Sequence, residues 1–227
     1  MVRKYHPDVI FDNRLEASGA HHGSLVTDTP SEYAGDFVSP EQIIPAGGVR
    51  NSKNEPVVWE ACITMNNNWG FCQTDRNYKP FDMVIKKLVE CVSKGGNLLL
   101  NVGPDAKGNI PRESLAILDE VGKWMRQNHE SVYGCGISGI EKPDYGRVTQ
   151  KGKYLYYHIM ESQVGMIPLT GIKKEQIKRM WLVSTGAEIH IVDDWVAACY
   201  PDTVFIKFGD SPVLPDPVDT VVGVELY

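Results

Sequence analysis

Three consecutive polar side chains, Asp12, Asn13 and Arg14, directly follow a short apolar run at residues 9–11. The apolar run predicts a strand, which would put all three polar groups at the carboxyl end of that strand. The guanidinium of Arg14 offers a rigid fork of donors that can engage two hydroxyl groups at once. We interpret this strand end as either a ligand-binding cluster or a buried polar network that supports the next loop.

Glu41 is the first candidate for acid–base chemistry. It follows Pro40, whose ring restricts the backbone, so its carboxyl would be held on a stiffened turn. A general acid has to keep its proton near neutral pH and still reach the reacting oxygen, which suits a stiff, partly desolvated carboxyl beside an ionised partner. Glu60, beside Trp59 in the apolar run 57–61, is the rival acid. The alternative is that its carboxylate is paired with another side chain and has only a structural role.

A third group of chemically useful residues is the amide run Asn66, Asn67 and Asn68, which immediately precedes Trp69. Amide groups match sugar hydroxyls, while an aromatic face packs against the apolar side of a sugar ring. The combination indicates a sugar-binding loop. The alternative is a tryptophan buried in the core of the loop.

The elements that position these residues alternate between helix and strand. Residues 81–92 carry apolar side chains at helical spacing, residues 98–100 form an apolar run typical of a buried strand, and a second helix is expected at about 111–127. In a parallel α/β sheet the loops after the carboxyl ends of the strands hold the chemistry. Asn101 should therefore lie near a site, unless it only caps local backbone.

The remainder of the chain, after Cys135, consists of short β-rich runs between turns, which predict an antiparallel β-sandwich. These runs are residues 154–159, 180–183, 188–192, 203–208 and 221–226. We expect this part to support the preceding domain rather than to bind sugar, because it shows no marked aromatic platform.

The predicted fold class is α/β plus all-β, with domains at residues 1–134 and 135–227. Residues 1–130 supply about three strands and two complete helices, whereas a barrel of eight strand–helix units needs roughly 250 residues. The first domain is therefore either a small open sheet or the C-terminal half of a (β/α)8-type barrel.

The first 54 residues carry fewer structural signals. The basic residues at 3–4 look like a helix end with no helix before it, which suggests that the natural fold begins upstream. Residues 17–54 lack clear periodicity and predict one long loop. His21 and His22 are adjacent rather than at metal-ligand spacing, and a solvated loop is the expected place for them.

Composition excludes several classes of function. A formal net charge of −6 without Lys/Arg runs argues against nucleic-acid binding. The apolar runs are too short for a membrane span, and residues 1–20 lack the apolar core of a signal peptide, so a soluble chain of unassigned compartment is expected. The five cysteines are odd in number and share no metal-ligand spacing, which predicts structural thiols rather than a disulfide framework or a zinc site.

Several separate segments resemble, in the same order, the C-terminal half of the catalytic barrel of the α-L-fucosidases, which are retaining glycoside hydrolases. The segments are His6-Pro7-Asp8-Val9-Ile10 with Asn13-Arg14, Gly35-Asp36-Phe37 with Pro40-Glu41, Trp59-Glu60 with Trp69-Gly70, residues 92–104, and Gly122-Lys123-Trp124 leading to Tyr133-Gly134. Together they cover about 130 residues and form a specific pattern. The β-rich tail lies where this family carries its C-terminal sandwich.

The resemblance implies hydrolysis of terminal α-L-fucosyl linkages of glycans, without metal or organic cofactor, by two carboxyls about 5–5.5 Å apart. By position, Glu41 matches the family's general acid/base, Arg14 a residue that hydrogen-bonds the fucose, and Trp69 an aromatic that packs near its methyl group. The family's nucleophile is an aspartate on the strand before residues 9–11, so no residue here receives that role. The family's fucose-binding histidines also lie upstream and are not carried over to this chain.

Two functions remain open at this point. The chain is either an α-L-fucosidase, or its C-terminal portion, or it is a catalytically incomplete fragment that serves as a sugar-binding or interaction module. A half barrel would leave the strand at residues 9–11 unpaired at its edge, so we expect a homo-oligomer or a second chain that supplies the missing half. A stable monomer in light scattering would contradict this expectation.

Overall fold

The computed structural model describes residues 2–16, 23–27, 34–209 and 213–227. His21 and His22 lie outside the described residues, so the expectation about them is unaddressed. The protein is mixed α/β with mostly antiparallel sheets.

The chain forms two compact units. They are Met1–Lys79 with Lys94–Ser114, and Pro80–Ser93 with Leu115–Tyr227. The division into domains at residues 1–134 and 135–227 stays a prediction.

The first unit contains the one-turn helix α1 (Val2–Tyr5) and two parallel strands, β1 (Trp59–Thr64) and β2 (Gly96–Asn101). Trp59, the first residue of β1, is buried and is paired with Gly96, the first residue of β2. Successive side chains of β1 point to opposite faces of the strand: Trp59, Ala61 and Ile63 are buried on one face, whereas on the other face only the last residue, Thr64, is buried.

Parallel pairing continues beyond these two strands through irregular segments at residues 9–12 and 36–42. Glu60 N donates to Val38 O at 2.9 Å, and Asn13 N donates to Phe37 O at 3.1 Å. Isolated parallel bridges accompany both contacts. Four parallel segments therefore follow one another in chain order, with their carboxyl ends at the same edge.

The second unit contains two long helices and an antiparallel sheet. The helices are α2 (Phe81–Ser93) and most of α3 (Arg112–Asn128). The strands are β3 (Gly136–Ile137), β4 (Gly146–Lys151), β5 (Tyr154–Ile159), β6 (Ile167–Leu169), β7 (Ile177–Leu182), β8 (Val204–Ile206) and β9 (Thr220–Leu226), with a short helix α4 (Trp195–Ala198) before β8. Five strands form one sheet in the order β3-β4-β5-β9-β7, and β6 pairs with β8 in a second.

The central strand β5 is covered on both faces. Tyr157 belongs to an apolar cluster that includes Ile206 of β8. Its neighbour Tyr156 belongs to another cluster that includes Ile85 of α2 and Trp124 of α3. Because successive side chains of a strand alternate between faces, this sheet separates two apolar cores.

Membrane-spanning helices and metal-ligand groups are both missing from the described residues. In that part of the chain, no helix is long and apolar enough to cross a membrane. The same residues contain no group of three or more His, Cys, Asp or Glu side chains arranged to hold a metal ion. None of the five cysteines, all of which lie in the described residues, forms a disulfide.

Candidate active site

The carboxyl ends of the parallel segments bring three predicted site residues into contact. Arg14 follows segment 9–12, Glu41 lies near the end of segment 36–42, and Trp69 lies in the loop after β1. Arg14 Nη1 donates to Glu41 Oε2 at 2.8 Å, and Trp69 Nε1 donates to Glu41 Oε1 at 3.1 Å. We call Arg14, Glu41 and Trp69 the Glu41 cluster.

Glu41 is both oriented and accessible. Each carboxylate oxygen accepts a hydrogen bond within the cluster, yet the side chain remains 36% exposed. Its backbone is fixed to β1 because Cys62 N donates to Pro40 O and Gln42 N donates to Cys62 O, both at 2.9 Å. A carboxyl held this way can exchange a proton with a ligand that approaches from solvent.

The strand end at Asp12, Asn13 and Arg14 forms a polar network, and its role in ligand binding stays a prediction. Asp12 Oδ1 accepts from Arg14 N at 3.2 Å, and the fully buried Asn13 accepts at Oδ1 from Ser39 N, also at 3.2 Å. Arg14 Nη2 donates to Ser39 O at 3.0 Å. Asp12 and Asn13 thus support the turn, and Arg14 reaches from it to Glu41.

The loop that carries Trp69 is organised by Asp75. One carboxylate oxygen of this buried residue accepts from Asn67 N at 2.9 Å and from Asn68 Nδ2 at 2.7 Å, and the other accepts from Asn77 N at 2.9 Å. These hydrogen bonds, above all that from Asn77, lower the pKa of Asp75. The main chain of Asn67 and the side-chain amide of Asn68 therefore hold the loop, while Trp69 stays 39% exposed.

Asn101 and Lys79 tie the same loop to the strand ends. Asn101 Nδ2 donates to Trp69 O at 2.7 Å, so the predicted proximity of Asn101 to the cluster is direct contact with its backbone. Lys79 Nζ donates to Thr64 O at 2.6 Å and to Asn66 O at 3.3 Å. Burial lowers the pKa of Lys79, and its charge is engaged with main-chain carbonyls at the end of β1.

Glu60, the rival acid, lies two positions before Cys62 on the same face of β1. Burial raises the pKa of Glu60, and the negative charge of Asp12 adds to this effect. Glu60 lines a cavity of about 540 Å³ together with Phe37 and Asn97. The raised pKa suits an acid, but the arginine and the aromatic ring predicted to bind sugar contact Glu41 instead.

Two residues of this site were missed by the sequence analysis, Gln42 and Asp75. The signal for Asp75 was available, because an aspartate two residues before Asn77 fits a turn in which the carboxylate accepts from nearby backbone. Gln42 has no local signal, since its side-chain partner Thr64 lies 22 residues away.

Comparison with known proteins connects this geometry to a family. The family model described as alpha-L-fucosidase matches residues 1–130, more than half of the chain. The plasma alpha-L-fucosidase of Rattus norvegicus is 38% identical over 183 residues, which cover 70% of this chain and 40% of the relative. The alpha-L-fucosidase of Dictyostelium discoideum is 41% identical over 78 residues, 34% of this chain and 17% of the relative.

Solved structures give the same result. Alpha-L-fucosidase isoenzyme 1 from Paenibacillus thiaminolyticus has a TM-score of 0.93 and 47% identity, covering 100% of this chain and 52% of its own. A GH29 alpha-L-fucosidase from Bacteroides thetaiotaomicron has a TM-score of 0.71 and 27% identity, covering 86% of this chain and 43% of its own. The chain thus spans about half, or less, of the length of these proteins.

Proposed function

The chain belongs to the α-L-fucosidase family, and on that premise we propose that it supplies the acid/base and part of the fucose pocket of an α-L-fucosidase. Its substrates would be glycans or oligosaccharides with terminal α-linked fucose. The observation that carries the proposal is the Glu41 cluster, in which a carboxyl, an arginine and an exposed aromatic ring meet at the carboxyl ends of parallel segments. Active sites of parallel barrels lie at this edge.

Glu41 is proposed as the general acid/base of a retaining double displacement. In the first step it gives its proton to the glycosidic oxygen as the bond from that oxygen to the anomeric carbon breaks and a carboxylate attacks that carbon. In the second step Glu41 takes a proton from water, which attacks the same carbon and releases the enzyme carboxylate. We assign the attacking carboxylate to no residue of this chain.

Arg14 and Trp69 are proposed to hold the sugar. Arg14 Nη2 is anchored on Ser39 O, so Nη1 can exchange Glu41 for a sugar hydroxyl without loss of the guanidinium's position. That exchange would release Glu41 Oε2 toward the glycosidic oxygen. Trp69 presents an exposed face that could pack against the methyl group of fucose.

The finer architecture is also part of this proposal. We propose that the parallel segments are the C-terminal half of a (β/α)8-type barrel and that the antiparallel unit is a β-sandwich. The chain-order arrangement of residues 9–12, 36–42, β1 and β2 supports the first point, because barrel strands pair with their neighbours in sequence. The two cores on either side of β5 support the second.

A second candidate function, a non-catalytic sugar-binding or interaction module, is favoured by the exposure of one face of the parallel segments. Ile10, Val58 and Leu99 are 73%, 61% and 48% exposed. An apolar surface of this kind is typical of a face that another polypeptide covers. A second copy, or a chain that completes the barrel, remains the predicted partner.

Hydrolysis of an aryl α-L-fucoside by the 227-residue chain separates the two candidates. If the chain is sufficient for catalysis, the parent releases the aryl group and Glu41→Ala loses about 100-fold or more of the rate, as expected for a lost general acid/base. Glu113→Ala is the matched control, because Glu113 is also paired with an arginine, Arg76, at 2.6 Å. No release at any protein concentration would mean that the chemistry needs a carboxylate from outside this chain, and fucose binding by the Glu41 cluster would then separate an incomplete active site from an interaction module.

A further inference from the structure

Gln42, the residue directly after Glu41, has an unusual backbone conformation. Its φ is +57°, and Asn54 at +64° is the only other non-glycine residue with positive φ in the described part of the chain. The left-handed region is unfavourable for a residue with a Cβ and persists only where surrounding contacts impose it. The turn after Glu41 therefore needs contacts that hold it.

The side-chain amide of Gln42 provides those contacts. Gln42 Nε2 donates to Thr64 Oγ1 at 2.9 Å, and Thr64 N donates to Gln42 Oε1 at 3.3 Å. Thr64 is the last residue of β1 and is 1% exposed. The amide thus clamps the turn onto the buried carboxyl end of the neighbouring strand.

The orientation of this amide follows from the hydrogen bonds of Thr64. Two acceptors compete for the single proton of the Thr64 hydroxyl, Asn66 O and, at 3.4 Å, Gln42 Oε1; Asn66 O is much the nearer, so the proton goes to it and Oγ1 accepts from Gln42 Nε2. Nitrogen is therefore the correct atom of Gln42 to face Oγ1, and oxygen the correct atom to face the Thr64 N–H. A glutamate at position 42 would set two acceptors against each other.

We propose that Gln42 is the positioning residue of Glu41. By holding the left-handed turn, the amide clamp ends the pairing of segment 36–42 with β1 after the Gln42 N–H, which donates to Cys62 O, and fixes the direction of the Glu41 side chain. The clamp thereby sets the contact of Glu41 with Trp69 Nε1. This inference rests on the proposed acid/base role of Glu41 for its meaning in catalysis, but its geometry can be tested without a substrate.

The test follows the indole N–H resonance of Trp69 in ¹⁵N-labelled protein, assigned by its loss in Trp69→Phe. Glu41→Gln is the reference variant: it shows where this resonance lies when the acceptor of the indole N–H is no longer a carboxylate. We expect Gln42→Glu and Gln42→Gly to shift the resonance away from that of the parent, because both lose the donor to Thr64 while the fold is kept. Thermal melts of both variants confirm that they are folded.

Gln42→Gly separates positioning from simple folding, because glycine adopts positive φ without strain. If the side chain of Gln42 only kept the left-handed turn folded, Gln42→Gly would fold equally well and its Trp69 resonance would match that of the parent. That result would overturn the proposal. Asn54→Gly, at the other positive-φ position, is the matched control and should leave the resonance unchanged. The readout contains no sugar, so its outcome is independent of whether the chain cleaves fucosides.

Discussion

At the scale of single residues, the guanidinium of Arg14 has two partners of different kinds. Its contact with Ser39 O is to fixed main chain, whereas its contact with Glu41 is to a side chain that is partly exposed. A sugar hydroxyl can compete for the second contact and leave the first intact. In its proposed role, Arg14 would bind a substrate and give up its contact with Glu41 Oε2 in the same event, which a lysine, with a single point charge, would not reproduce.

A second carboxylate, Glu225 on β9, gives a prediction about stability and pH. Hydrogen bonds from Lys153 at 2.6 Å and Lys178 at 2.9 Å lower the pKa of Glu225 to about 2. Because the folded-state pKa lies below the ordinary value of 4.5, this carboxylate stabilises the fold above pH 4.5, and the contribution is lost as pH falls from 4.5 through about 2.

The measurement is the melting temperature of the parent and of Glu225→Gln between pH 6 and pH 2. The difference between the two should be largest at pH 6 and should shrink as the pH falls. Glu161→Gln, at an exposed position of the same unit, controls for the loss of a carboxylate in general. A parent and a Glu225→Gln variant that differ equally at all pH values would show that the lysines do not act on Glu225.

The predictability of individual site residues depends on whether their role is local. Arg14, Glu41 and Trp69 were predicted from separate motifs, and the structure brings them together because each follows a parallel segment; their catalytic and binding roles stay proposals. The turn at Gln42 depends on a partner 22 residues away and on a positive φ. Neither the distant partner nor the positive φ can be predicted from the residues next to Gln42.

At the scale of elements, the parallel pair β1 and β2 is set by one close contact. A Cβ added to Gly96 would lie 2.2 Å from the indole of Trp59, a distance that no real contact allows. Trp59 is 1% exposed, and its Nε1 donates to Lys94 O at 3.3 Å. The ring therefore fills the space above Gly96 and fixes the register of the two strands.

Gly96→Ala should destabilise the chain, because the new methyl group forces the buried Trp59 ring or strand β2 to move. We expect a loss of about 1–3 kcal/mol in the free energy of unfolding, the range typical of an overpacked core. Denaturant titration followed by tryptophan fluorescence measures it. Gly47→Ala, where an added Cβ meets nothing within 4 Å, should change stability little; an equal loss in both variants would refute the steric explanation.

Elements with strong periodicity were predicted closely, and irregular ones were not. The helix predicted at residues 81–92 is α2, and the strand predicted at 98–100 lies within β2. Segment 36–42 was predicted as part of a long loop, because its proline and polar residues are typical of loops. Its parallel pairing with β1 is made by main-chain groups, which the residue types do not reveal. Residues 188–192 were predicted as a strand, but only Glu188 forms a bridge, to Trp181.

At the scale of the whole molecule, the sequence predicted the family from the order of its motifs, and the family match confirms it. The coarse fold, mixed α/β with mostly antiparallel sheets, is also confirmed. Closure of the parallel segments into half a barrel stays a proposal, as does the partner that would cover them. Both depend on contacts beyond the four parallel segments, which local sequence patterns do not encode.

The central claim is that the Glu41 cluster forms part of a fucose pocket, and sugar binding tests it most directly. Ligand-observed NMR of the 227-residue chain with L-fucose, and with L-galactose, which carries a hydroxyl in place of a hydrogen on the fucose methyl, measures both affinity and selectivity. Burial of the methyl group against Trp69, and the cost of burying a hydroxyl there, predict a preference for L-fucose of about tenfold.

The variants make the result specific to the cluster. Trp69→Ala should abolish the preference for L-fucose, whereas Trp195→Ala, which removes a tryptophan that is 80% exposed in the other unit, should keep it. Saturation transfer to the fucose methyl that is lost in Trp69→Ala but kept in Trp195→Ala is the result the account predicts. Equal binding of the two sugars, or binding that survives Trp69→Ala and Arg14→Ala unchanged, would contradict it.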